Sequence, residues 1–90
     1  MEHIQIQLAT RIEGRLVTYD AYDEAIWVDY TRYYDGLSWH PVPYEAQLQV
    51  YARDPAMMEF FRSLPKGTIL RMTIVIDEEG RRRVVALEGT

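Results

Sequence analysis

DPAMMEFFRSLPKGTILRMTIVI, Asp54 to Ile76, changes its apolar period halfway along, and that change decides the fold. Asp54 can accept from the free amides of a helix start, and Pro55 falls at the first helical position, where a missing N–H costs nothing. Met57, Phe60, Phe61 and Leu64 then recur at helical spacing, and Pro65 and Gly67 end the stripe. From Thr68 onward, TILRMTIVI has the composition of a strand; DEEG makes a turn and RRRVVAL a last strand.

Upstream the pattern is that of strands. Ile4, Ile6, Leu8, Ile12 and Leu16 share one parity, the period of a long half-buried strand, with Gly14 inside it as the mark of a bulge or sharp bend. The acidic YDAYDEA, Tyr19 to Ala25, reads as a loop. In AIWVDYTRYY, Ile26, Val28 and Tyr30 face one side and Trp27, Asp29, Thr31 and Tyr33 the other. After the turn signal Asp35-Gly36, a third strand is expected from about Trp39 to Ala52. Val42, Tyr44, Ala46, Leu48 and Val50 would face inward on it, with Gln47, Gln49, Tyr51 and, by extension, Trp39 outward. Pro41 and Pro43 cannot donate to a ladder, so its start must be an edge or irregular. Three strands, a helix and two strands describe an all-β protein: an OB-fold, a five-stranded Greek-key barrel with its helix between strands three and four. Ninety residues make this a single domain, 1–90.

Composition bounds the function. No apolar run approaches the roughly 20 residues that span a bilayer, the start MEHIQIQLAT is not patterned as a secretory signal, and there are no cysteines. The expectation is a cytoplasmic protein without a membrane partner. Net charge is −4, which opposes general binding to phosphate backbones. The balance is local, however: residues 1–36 hold three basic and seven acidic side chains, residues 65–90 five and four. His3 and His40 have no close-spaced carboxylate or cysteine that would make a metal set, and Asp20, Asp23 and Glu24 lack calcium-loop spacing. With no phosphate cradle and no nucleophile beside a base, no enzyme activity and no cofactor are expected.

Three short segments resemble the bacterial single-stranded-DNA-binding OB proteins, including the related primosomal PriB type. They are Gly14-Arg15-Leu16, Trp39-His40 at the head of strand three, and Leu64-Pro65-Lys66-Gly67-Thr68 before strand four. The chain departs from that pattern at Pro41, Pro43 and Glu45-Ala46. The resemblance implies base stacking at Trp39 and a role in replication, recombination or repair.

All seven tyrosines and both tryptophans lie in the first 51 positions, more than a small barrel can bury. Exposed rings suit single-stranded nucleic acid, because every base offers a π-face. By parity Trp27, Tyr33, Trp39 and Tyr51 point outward, while Tyr30 and Tyr44 belong to the core. Arg81, Arg82 and Arg83 form the basic cluster at the mouth of the last hairpin, and Arg32 lies on the aromatic-rich second strand. Either these arginines meet phosphates or Asp77, Glu78 and Glu79 neutralise the cluster across the turn. The expected activity is binding of single-stranded DNA, or RNA, by a homodimer. The rival expectation is a protein-interaction module, such as an accessory subunit or a phage-encoded inhibitor, that docks a protein partner on the same rings.

Overall fold

The computed structural model describes residues 9–88, over which the chain forms β1 (Thr10–Asp20), β2 (Ala25–Tyr34), β3 (Trp39–Pro41), β4 (Gln47–Tyr51), α1 (Pro55–Ser63), β5 (Ile69–Ile76) and β6 (Arg82–Leu87). Five strands close in the cyclic order β1-β2-β4-β6-β5. Neighbours are antiparallel except β4 and β6, which run parallel through the single pair Tyr51 and Arg83. This is the expected OB-like barrel, with the helix between its third and fourth barrel strands. Ile4, Ile6, Leu8 and His3 lie outside the described residues.

The third barrel strand is not continuous. It breaks into β3 and β4 because Pro41 and Pro43 have no N–H to give, and pairing with β2 lapses from Val42 to Ala46. The break overturns one expectation: Tyr44 is 61 % exposed and not part of the core. The segment 42–46 is nonetheless fixed at both ends. Val42 donates its N–H to the Thr31 carbonyl at 3.0 Å, and Ala46 accepts from the Tyr30 N–H at 2.9 Å.

Two bulges set which side chains share a face. Between β1 and β2, Glu13 pairs with Arg32 and Gly14 with Tyr30, leaving Thr31 as an extra residue of β2; Leu16 pairs with Val28 and Thr18 with Trp27, leaving Val17 extra in β1. The extra Thr31 reverses the alternation along β2. Residues Trp27 and Asp29 lie on the outer face, and past the bulge Arg32 and Tyr34 take that face. Tyr33 pairs with the buried Ile12 and His40. The expected grouping of Tyr33 with Trp27 is therefore corrected: they occupy opposite faces of one strand.

Inside, Ile12, Leu16, Ile26, Val28, Val50, Met72 and Val84 fill the barrel, and α1 closes one end with Met57 and Phe61. Phe60, expected on the same stripe, is 46 % exposed, so the buried face of this short helix is narrower than its apolar pattern. Asp54 caps the helix, accepting from the Met57 N–H at 2.9 Å, with Pro55 at its first turn. Gly14 is required by space: a Cβ there would lie 2.8 Å from Val28 Cγ2 and 2.9 Å from Val28 Cβ. Its bare backbone lets β2 sit against β1 at the bulge.

Candidate functional site

The expected site residues fall into two groups at opposite ends of β2. At its beginning, Ala25 pairs with Tyr51 and Tyr51 with Arg83; at its end, Tyr34 pairs with Trp39.

At the beginning, Trp27, Tyr51, Arg81 and Arg83 surround the β1–β2 and β5–β6 loops. Their polar groups are largely engaged. The Trp27 indole donates to Asp20 at 3.3 Å, and Asp20 is held below the usual carboxylate range, first by the Asp23 N–H, then by that indole and the Tyr22 N–H. Arg83 donates to the Ala52 carbonyl at 2.7 Å and to Asp77 at 2.8 Å. Arg81 pairs with Glu79 and Asp77, and both guanidinium groups lie over the Tyr51 ring, at 4.8 and 5.5 Å from its centre. Asp77 is itself lowered, by the Arg81 N–H and then by Arg83. Neutralisation across the turn is thus the arrangement present. Arg82 pairs with Ile76, off the face used by Arg83, and makes no ion pair among the described residues.

At the other end, the outer face of the β2–β3 hairpin and the adjacent β1 and β5 collects cations around two rings. Arg11 lies 4.2 Å from the Tyr34 ring centre and 5.4 Å from that of Trp39; Arg71 lies 4.4 Å from Trp39. The two rings tilt against each other with centres 5.4 Å apart. Beneath them, Glu13 is buried, accepting from Arg71 at 3.1 Å and Thr31 at 3.0 Å, with Arg32 at 3.5 Å. Glu88 pairs with Arg11, and its own N–H is fixed to the Arg71 carbonyl at 2.9 Å. Three guanidinium groups and two carboxylates leave this patch with a net charge of about +1 on a chain of net −4.

Trp39 thus keeps the outer face expected of it, despite the two prolines after it. Tyr33 instead stacks on His40 across the hairpin, centres 5.4 Å apart. At the hairpin tip Asp35 accepts from the Leu37 and Ser38 N–H groups at 2.7 and 2.8 Å and contacts His40; its pKa is lowered to about 2, chiefly by Ser38, then Leu37, then His40. Tyr34, Arg11, Arg71, Glu13 and Glu88 were missed by sequence reasoning. Arg11 and Arg71 have outward parity beside Ile12 and Met72, but only the β1–β5 pairing, Arg11 with Thr73 and Glu13 with Arg71, brings them to one place.

Between the ends, a cleft of about 610 Å³ opens on the outer face below the 42–46 segment, and a second of about 490 Å³ lies among the two loops and the start of α1. Among the described residues no group of histidines and carboxylates is arranged to hold a metal, and no helix is long and apolar enough to cross a membrane. A five-stranded OB-like barrel carrying an aromatic and cationic patch on the outer face of its β2–β3 hairpin is the class that fold and surface define. Comparison with protein-family models, curated proteins and solved structures gave no match to this chain.

Proposed function

We propose that this barrel binds single-stranded nucleic acid, DNA in the first instance, on the outer face of the β2–β3 hairpin. The observation that carries the reading is the convergence of Arg11 and Arg71 on Trp39 and Tyr34, with Arg32 held on the same face by Glu13. Guanidinium planes and indole rings both stack on bases, and guanidinium groups pair with phosphates, so one patch supplies both terms of single-strand binding. A duplex keeps its bases stacked within the helix and offers these rings nothing to stack on. The Trp39-His40 resemblance supports the same position. Under this reading the protein works in the cytoplasm, in replication, recombination or repair, and as a homodimer, because one patch with two rings grips few bases.

The rival, docking of a protein partner, draws on the opposite end. There, Arg81 and Arg83 are already engaged and Asp20, Asp23 and Glu24 add negative charge. Titration separates the two. Oligo-dT should quench tryptophan fluorescence at low salt and release it as salt rises, and Trp39→Ala should weaken binding roughly fivefold or more. Absence of quenching by oligo-dT at low salt and micromolar protein would refute nucleic-acid binding and leave the protein-docking reading.

A further inference from the structure

The cleft below residues 42–46 adjoins the Trp39 patch. Thr31 lines it and donates to Glu13 on the patch side, and Val42 follows Pro41, the partner of Arg32. The segment arches over the β2 bulge, fastened by backbone hydrogen bonds from Val42 to Thr31 and from Tyr30 to Ala46. The space beneath is therefore built into the fold. Tyr44 lines it, largely exposed, its ring nearly perpendicular to that of Tyr30, with centres 6.5 Å apart and planes at 74°. An exposed aromatic ring braced by a perpendicular neighbour is a ready stacking surface.

Asp29 also lines the cleft. One of its oxygens accepts from Arg15 at 3.1 Å and the other from Gln47 at 3.3 Å, which fixes the carboxylate's orientation while leaving each oxygen a further lone pair. Glu45 adds a second carboxylate to the lining. Carboxylates accept from exocyclic amino groups, as they do from the N4 amine of cytosine. Thymine and uracil carry no such amine.

We infer that this cleft is a nucleobase subsite, in which Tyr44 stacks one base of a strand crossing the Trp39 patch and Asp29 accepts from that base's exocyclic amino group. The inference rests on the reading of the patch as a single-strand site and adds to it a preference for cytosine-type bases over thymine. A volume of about 610 Å³ is ample for a base and part of its sugar.

The test is fluorescence anisotropy with dye-labelled dC8 and dT8 at neutral pH. It compares the unaltered protein with Tyr44→Ala, Asp29→Asn and Trp39→Ala, each checked for fold by circular dichroism. The unaltered protein should bind dC8 at least roughly fivefold more tightly than dT8. Tyr44→Ala should weaken both by a similar factor, and Asp29→Asn should bring dC8 to the level of dT8. Equal affinity for the two oligomers, untouched by Tyr44→Ala but reduced by Trp39→Ala, would overturn the subsite while leaving the patch as the binding site. Failure of the unaltered protein to bind either oligomer would overturn the reading of the patch, and the subsite with it.

Discussion

Glu88→Gln isolates the electrostatics of the Trp39 patch. Glu88 is fixed from behind by its N–H on the Arg71 carbonyl, and its carboxylate meets Arg11, with Arg11 Nε at 2.8 Å. Under the proposed reading it competes with a phosphate for Arg11. Both side chains are about one-third exposed, so solvent screens the pair and losing it costs the fold little. The effect on binding is opposite in sign. A phosphate on Arg11 at roughly 6 Å from the Glu88 carboxylate is repelled by about 0.7 kcal/mol at the dielectric of water and about 3 kcal/mol at an effective value of 20. The neutral amide should therefore raise affinity for oligo-dT by at least about threefold. Each additional phosphate neutralised steepens the single-strand salt dependence by about 0.7 in log K against log salt. Titrations at 50 and 200 mM NaCl, with urea melts as a stability control, read both quantities. An affinity that stays equal or falls, with an unchanged salt slope and an intact fold, would refute the placement of phosphate at Arg11.

Two further predictions concern the scaffold. Gly14→Ala should destabilise by about 1–3 kcal/mol, because its methyl would press on Val28, and Val28→Ala in the same chain should recover part of that loss; additive costs in chemical denaturation would contradict the contact. At the hairpin tip, the Asp35 carboxyl has a pKa of about 2, below its unfolded value of 3.8. Its stabilisation is complete above roughly pH 4 and fades as pH falls toward 2. An NMR titration should find its midpoint near 2, and a midpoint near 3.8 would show that the Leu37 and Ser38 amides do not hold it.

Much of the barrel could be read from the period of apolar residues, and the helix from Asp54-Pro55 and the stripe behind it. The bulge at Thr31 could not. Gly14 flagged irregularity between the first two strands, but the surplus residue lies on the partner strand, and alternation within one strand carries no record of where its neighbour skips. That slip moved Tyr33 to the wrong face. Pro41 and Pro43 correctly marked the start of the third strand as irregular, and Tyr44 left the core because the chain leaves β2 there. Trp39 kept its parity because pairing resumes at Gln47, an even number of residues beyond Pro41, so both pieces present odd-numbered side chains outward. The basic run Arg81-Arg82-Arg83 stood out as consecutive letters, whereas Arg11, Arg32 and Arg71 are far apart in the chain and meet only through pairing of β1 with both β2 and β5.

The parallel contact of β4 with β6 gives the barrel a seam whose closure depends on side chains. One residue pair is a poor substitute for a ladder, and two guanidinium groups bridge the gap: Arg53 reaches across to the Val85 carbonyl at 2.8 Å and Arg83 back to that of Ala52 at 2.7 Å. Arginine here does the work of missing amides, bolting the cylinder shut from outside. Of the barrel's five strand junctions this one has the fewest paired residues, and Val50 and Val84, fully buried on the two strands that flank it, are the apolar side chains its integrity keeps dry.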